Sequence, residues 1–541
     1  MIDLNERFSE KRNFFNRLIF VYVFFGVLFL YLIYKTFSLQ ISSYSDYELA
    51  SLENKTREFL VQPRRGIIYD RNGEIIVNNK PSYNMILDPE NVDDINELIF
   101  EINKFVNLSD AEIKNINNIF PNKKKLNREV VLKRNLTTEE IAKFEVRNYR
   151  FPDIQIAERY SRENLYPYLF SHSIGYVGNL DEEKLQEILS SQNLESNETI
   201  FTYSNGFLNG KTGIEYIYDE KLRGLFGKKI YEVDASGRLL QEKQMIPAVA
   251  GEDIFTSLDL SSQKVAYDEL NNRRGAVVAV DINDGSIVTY VSSPSFSVNK
   301  IANGLTQNEF DELINDDDKP FFDRAAQGRY SPASTIKPAI GLFGIDKDIL
   351  DWEYTIQDPG FFILPEDGRI YRGWKKGGHG EINLKDAIIE SSNTFFFSLA
   401  YQTEIEELRA HLSNFGFGKN VCDDCFMPDN GLLPSPRWKM NTHNFGWFKG
   451  DTVNVGVGQG YINATPIQLA YYSAFLATKG NINKFSFVQD SKSANKNIFN
   501  SQNITNIDWD NIHESMIGVI ESPKGTAGRL RSLKDYVIAA K

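Results

Sequence analysis

From Leu18 to Tyr34 the chain is almost wholly apolar, and this run decides where everything after it must lie. At about 1.5 Å per residue, the run and its flanks are long enough to cross a hydrocarbon core of ~30 Å as one helix. Arg7, Lys11, Arg12 and Arg17 precede it, and only Lys35 follows closely. Basic residues are retained on the cytoplasmic side, so the N-terminus is expected inside and all residues past Lys35 outside. A cleaved signal peptide would end in a small-x-small site, which Lys35-Thr-Phe-Ser-Leu-Gln40 does not offer. The expected organisation is a cytoplasmic tail over 1–17, one transmembrane helix over 18–34 and a juxtamembrane linker over 35–60.

With 541 residues and 42% hydrophobic content, the chain can bury more than one core, so two folded domains are expected beyond the membrane segment. A formal charge of −13, a pI near 5.2 and no basic stripe exclude a nucleic-acid partner, which would want clustered Lys and Arg. The only cysteines are Cys422 and Cys425. Zinc would want a second ligand pair and a redox motif a βαβ setting, and neither is evident. A local disulfide closing a short loop fits an oxidising exterior, with no catalytic part.

The run Tyr330-Ser-Pro-Ala-Ser-Thr-Ile-Lys-Pro338 sets Ser334 and Lys337 three residues apart where a helix should begin, with Pro332 marking its start. At that spacing both side chains share one face, so the Lys337 amine can take the Ser334 proton as the hydroxyl attacks a carbonyl. Unpaired N–H groups of a first helical turn also favour the negative charge of acyl transfer. Alone, Ser-x-x-Lys is a weak pattern. Ser391-Ser392-Asn393, after the helix-like stretch Leu384 to Glu390 and before the apolar run Thr394 to Leu399, gives it weight. By itself that triplet reads as a helix cap or turn.

Ser-x-x-Lys, then Ser-x-Asn, then a Lys-Ser/Thr-Gly strand is the order found in penicillin-binding proteins and serine β-lactamases, and this chain resembles them. The resemblance implies an α+β multidomain fold: a membrane helix, a β-rich pedestal over 61–255, and a transpeptidase domain over 256–541 in which helices pack on an antiparallel sheet. Arg65-Gly-Ile-Ile-Tyr-Asp-Arg-Asn-Gly73 with Glu74-Ile-Ile-Val77 reads as a hairpin with an Asn-Gly turn, and it resembles the pedestal opening of class B penicillin-binding proteins. Tyr166-Pro167, His172-Ser-Ile-Gly-Tyr-Val177, Gly213-Ile-Glu215 and Leu222-Arg-Gly224 continue the resemblance. Asp110 to Ile119 and Thr137 to Arg147 have helical spacing. Lys211-Thr-Gly213 spells the third motif but lies upstream of Ser334 in pedestal surroundings, and Lys524-Gly-Thr526 has its letters out of order in a loop. Gly275 to Val291 reads as a strong hairpin. Asp316 to Lys319 reads as a solvated loop, and the Asn- and Ser-rich stretch Asn483 to Asn511 as a surface excursion.

By the same resemblance Ser334 is the nucleophile on the carbonyl between two terminal D-alanines of a peptidoglycan stem peptide, and Lys337 is its general base. Ser391 passes the proton to the leaving amine, and Asn393 holds the substrate amide. β-Lactams would stay on Ser334. Asp535-Tyr-Val-Ile-Ala-Ala-Lys541 looks like the strand leading into the third motif, with Lys541 as its first, substrate-binding residue. The motif's hydroxyl residue and glycine are then missing, so the chain is expected to be a fragment, incomplete at the C-terminus. Trp374-Lys-Lys-Gly-Gly-His-Gly380 and Gly450 to Tyr461 resemble the elongation-type branch, penicillin-binding protein 2. That implies a SEDS-family glycosyltransferase and rod-shape scaffold proteins as partners, and an inner-membrane anchor with a periplasmic catalytic domain. The competing readings are a division-type transpeptidase, a β-lactam hydrolase or sensor, and a non-catalytic truncated scaffold. Some relatives place Asp, Asp, His and Cys metal ligands in this region. Here the chain offers Asp358 and His379, with Gly373 and Ser392 at the positions of further ligands; two candidate ligands are too few, so no metal and no cofactor is expected, and His379 reads as a hydrogen-bonded loop residue.

Overall fold

The computed structural model describes residues 3–42, 56–87, 92, 94–119, 130–180, 182–192, 200–201, 207–233, 239–488, 497–499, 501, 503–533 and 535–541. Most of the expected linker, residues 43–55, lies outside the described residues. The N-terminal segment is one helix, Asp3–Phe37, longer than the apolar run because no proline interrupts its charged start. Its stretch Phe14–Ile41 has a mean hydropathy of 2.2 and none of its side chains is buried against protein. A helix apolar all round with no protein about it is suited to lipid.

Among the described residues the pedestal is built on two larger sheets and one two-stranded sheet, Val177–Asn179 with Leu208–Gly210. Thr56–Val61 pairs antiparallel with Gly227–Val233 and parallel with Ile200–Phe201. The second sheet forms as the sequence predicts: Asp70 Oδ1 accepts the Asn72 and Glu74 N–H groups, turning Ile68–Tyr69 back onto Ile75–Leu87. Gly73 sits in that turn at φ +86, where a side chain would be strained. Ile154–Asn164 runs along the whole inner length of Ile75–Leu87, from Val77↔Asn164 to Leu87↔Ile154. The helices Ile95–Asn103 and Thr138–Glu145 close a core of Met85, Leu87, Ile99, Ile102, Leu132 and Phe144. Beside it, Glu215 is buried and takes Arg65 Nε at 2.7 Å and Arg162 Nε at 2.6 Å. Burial alone would raise the Glu215 pKa, but the two guanidiniums more than offset it and hold the carboxyl below its ordinary value.

Ile254–Phe255 pairs in parallel with Ile68–Tyr69, so the chain completes a pedestal sheet just before the catalytic domain starts. Gly275–Val280 and Ile287–Ser293 form the expected antiparallel hairpin. Gln263, buried on the helix Leu260–Leu270, bonds both the N–H and the carbonyl of Tyr290 and locks helix to hairpin. Three short antiparallel pairs follow, Thr355–Asp358 with Gly380–Asn383, Phe361–Ile363 with Ile370–Arg372 and Asn481–Ile482 with Asn497–Ile498, and helices make up most of the remainder. Lys337–Asp346, Asn393–Tyr401, Ile405–Asn414 and Pro466–Ala477 meet in a core of Ile340, Phe343, Phe396, Leu412, Phe415, Tyr472 and Phe475.

The stretch Asn483 to Asn511 is not merely a surface excursion. Its residues 489–496 lie outside the described residues, but Phe485, Phe487 and Trp509 are buried, and Asn506–Glu521 is a helix capped by Thr505 and Asp508. Aromatic anchors outweigh the polar composition around them. Cys422 and Cys425 form a disulfide across three residues of sequence.

Candidate active site

Ser334 lies in a 3-10 turn, Ala333–Ile336, and the α-helix begins only at Lys337. The helix was expected to start at Pro332. Pro338 stands in its first turn instead, where its missing N–H costs nothing. In a 3-10 turn residues i and i+3 are stacked, so Ser334 and Lys337 still share a face. The turn is anchored from outside: Ala333, at φ +48, donates its N–H to Gly458 O at 2.8 Å. A Cβ on Gly458 would lie 2.2 Å from Ala333 O, so glycine is required there.

Lys337 is completely buried. Its Nζ donates to Ser391 O at 2.8 Å, to Ser391 Oγ at 3.3 Å and to Asn393 Oδ1 at 2.7 Å. Burial, and then the charge of Lys541, push its pKa down to about 6, with Asp358 opposing them. The 391–393 turn thus supplies all three acceptors of a lysine that is substantially neutral near pH 7. Losing one proton leaves that nitrogen a lone pair for a hydroxyl. Among the described residues no hydrogen bond joins Lys337 to Ser334 Oγ.

Ser391 occupies the turn between the helices Leu384–Ile389 and Asn393–Tyr401 at φ +57, unusual for a residue with a side chain. Ser392 caps the second helix: its Oγ accepts the Phe395 N–H at 3.1 Å and donates to Asp358 Oδ2 at 2.7 Å. Asp358 also accepts from His379 Nδ1 at 2.6 Å and from the Gly360 N–H at 2.7 Å. Burial would raise the Asp358 pKa, but the bonds from Ser392, His379 and Gly360 keep it below the usual value. His379 is a hydrogen-bonded loop histidine, as expected. Among the described residues no group of three or more His, Cys, Asp or Glu side chains is arranged to hold a metal.

Lys541 reaches the same place from the end of the chain. Its Nζ donates to Ile388 O at 2.5 Å, and burial lowers its pKa to about 7. The strand expected over 535–541 does not form. Among the described residues the segment has no ladder, and Ala540 donates to Met516 O on a helix instead. A strand needs a neighbouring edge within about 5 Å, and here the neighbour is a helix face. Lys211-Thr-Gly213 lies in the pedestal, with Gly213 at φ +61 packed on the Ile174 backbone. Lys524 lies in a loop and pairs with Glu390 Oε1 at 3.3 Å. The structure therefore brings Lys337, Ser391 and Asn393 into direct contact, places Lys541 within electrostatic reach of Lys337, and sets Ser334 one turn away.

Sequence reasoning gave no role to Trp374, whose indole N–H donates to Ser391 O at 3.1 Å. It also missed the link from Ser392 through Asp358 to His379. The one usable signal was a serine directly before a helix, which marks a cap.

Residues 60–256 match the Penicillin-binding Protein dimerisation domain, and residues 275–541 match the Penicillin binding protein transpeptidase domain. The chain is 35% identical to the peptidoglycan D,D-transpeptidase MrdA of Acinetobacter baumannii, over 96% of this chain and 76% of that protein. Its fold is similar to Helicobacter pylori PBP2 solved in complex with MreC, with a TM-score of 0.73 and 25% identity over 88% of this chain and 86% of that one. It is also similar to Pseudomonas aeruginosa PBP2 in complex with WCK 5153, with a TM-score of 0.66 and 29% identity over 89% and 85% of the two chains. In sequence, along nearly its whole length, and in fold, the chain belongs to the penicillin-binding proteins, in their PBP2 branch.

Proposed function

We propose that Ser334 is the nucleophile of this peptidoglycan D,D-transpeptidase and that Lys337 activates it. The observation that carries the reading is a fully buried lysine with a pKa near 6, one turn from a serine and bonded to a second serine and an asparagine. Neutral Lys337 takes the Ser334 proton as Oγ bonds to the carbonyl carbon of the penultimate D-alanine. The C–N bond to the terminal D-alanine then breaks, and the proton reaches the leaving amine through Ser391 Oγ. An amine from a second stem peptide attacks the ester, reforms an amide and frees Ser334. Asn393 and Lys541 orient the substrate, Asn393 through its amide and Lys541 through its charge. A β-lactam would acylate Ser334 and remain there.

The MrdA relatives favour cell-wall elongation over division, and the long pedestal is unlike a free hydrolase. The apolar Phe14–Ile41 helix supports a single-pass anchor, and the basic residues before it support an N-terminus in the cytoplasm, an inner-membrane location and a periplasmic catalytic domain. The two family matches support domains near 61–255 and 256–541. A SEDS-family glycosyltransferase and rod-shape scaffold proteins are the partners this reading implies, and the MreC complex of the H. pylori protein supports the second class. The test is covalent labelling of the full-length protein by a fluorescent penicillin. Ser334→Ala should abolish it, and full labelling of that variant would refute the nucleophile assignment.

A further inference from the structure

One peptide oxygen in the site accepts two side-chain donors. Ser391 O takes Lys337 Nζ at 2.8 Å and Trp374 Nε1 at 3.1 Å, which commits both of its lone pairs. The left-handed conformation of Ser391, at φ +57, is what both donors hold in place. Trp374 is 59% exposed, so burial does not explain where its indole sits. The ring stands edge-on to His379, with centroids 5.7 Å apart, and His379 is tied through Asp358 to Ser392. The loop carrying Trp374 and His379 therefore grips residue 391 directly by its carbonyl, and reaches the hydroxyl of residue 392 only through Asp358 on the strand Thr355–Asp358.

We infer that Trp374 is a positioning residue for acylation: its indole N–H shares the Ser391 carbonyl with Lys337, so that this oxygen holds the ammonium less tightly and the amine accepts the Ser334 proton more readily. This rests on the roles proposed above for Ser334 and Lys337. A carbonyl that already accepts one hydrogen bond is a poorer acceptor for a second, and a bond from an ammonium to a carbonyl stabilises the charged lysine. Without the indole donor, Ser391 O binds the ammonium more tightly and the charged, inactive form persists to higher pH.

The other charged groups facing Lys337 are accounted for. Lys541 disfavours its charge and Asp358 favours it. Glu390 is paired with Lys375 and Lys524. His411, from the helix Ile405–Asn414, bonds Ala339 O, and burial holds its pKa at about 4, so it is neutral. Trp374→Phe keeps all of these groups and a ring beside His379, and it removes only the donor.

The experiment is the second-order rate of acylation by a penicillin between pH 5 and 9 for the full-length protein, Trp374→Phe and Trp374→Leu, with thermal midpoints for each. A net hydrogen bond of ordinary strength corresponds to an upward move of the acid limb by about half to one pH unit. That is a loss of roughly two- to five-fold at pH 6, with a smaller change on the alkaline plateau. A folded variant whose limb has not moved overturns the inference, as does a uniform loss at all pH values. Failure of both variants to fold also overturns it, because the role is then structural. Labelling of Ser334→Ala would sink the underlying catalytic reading whatever Trp374 does. Ser334-dependent labelling with an unmoved limb sinks the Trp374 role alone.

Discussion

Lys337 Nζ lies 2.7 Å from Asn393 Oδ1, the shortest of the three contacts by which this amine joins the first motif of the site to the second. The asparagine oxygen is a neutral acceptor, strong enough to hold the amine and too weak to keep it charged.

The rate of acylation should follow the neutral fraction of Lys337. Burial and the Lys541 charge put its pKa at about 6, so penicillin labelling should be near its plateau at pH 7.5 and fall as pH drops through 6. The same displacement acts on stability with a definite sign. Between about pH 6 and the ordinary lysine value of 10.5, the unfolded chain holds a proton that the folded chain lacks, so this group's contribution makes unfolding harder as pH rises. Stopped-flow labelling and thermal melts over that range read the two effects separately.

Asn393→Asp should be worse than its size suggests. It sets a carboxylate where Asn393 Oδ1 now bonds Lys337. An adjacent opposite charge moves a pKa by about 1–3 units, here upward for the lysine. Labelling at pH 7 should fall by about two-fold for a one-unit rise and about ten-fold for a two-unit rise, and recover at pH 9. No recovery at high pH would show that the asparagine acts on substrate and not on the amine.

In the pedestal, Glu215→Gln removes the carboxylate that Arg65 and Arg162 share, leaving Arg162 buried without its ion-pair partner and Arg65 with Asp219 alone. Removing one partner of a buried ion pair costs about 3–5 kcal/mol. Because the folded Glu215 pKa is held below the ordinary value, its contribution is present above the unfolded carboxylate range and is lost as pH falls through the folded one. The variant should therefore melt well below the parent at pH 7, and the gap should narrow in acid.

Replacing both Cys422 and Cys425 by Ser opens a loop closed by residues only three apart in sequence. So short a loop gives about 2 kcal/mol in the chain-entropy account. A modest drop in thermal midpoint with penicillin labelling intact is expected. Loss of labelling in the folded variant would contradict the non-catalytic reading.

What could be read from the chain depended on range. The Asp70 to Glu74 turn, the Gly275 to Ser293 hairpin and the membrane helix are local, set by turn chemistry and periodicity, and each stands where the residues indicate. That Lys337, Ser391 and Asn393 would meet was legible because motif order carries tertiary information that no window of sequence contains. Trp374, Asp358 and Ser392 were not, since their meaning lies in contacts across 17 and 34 residues that depend on how one loop folds over a helix start. The strand expected over 535–541 failed for the same reason: its pattern is apolar, but pairing is decided by the neighbour, and the neighbour is the helix Asn506–Glu521.

The short strand Ile254–Phe255 has a mechanical meaning. It runs beside Ile68–Tyr69, and just after it Arg71 N–H meets Leu258 O at 2.9 Å while Asn72 reaches Asp259 at 3.1 Å. Farther along, Asn164 and Asn299 exchange backbone-to-amide bonds at 2.9 and 2.8 Å. Tyr218 also donates to Asp424 Oδ2 at 3.0 Å, so among the described residues pedestal and catalytic domain are riveted at several separate points, which resist a torque where one would act as a pivot. A rotation of the pedestal is therefore expected to be passed on to the catalytic domain and not taken up by a bend between them.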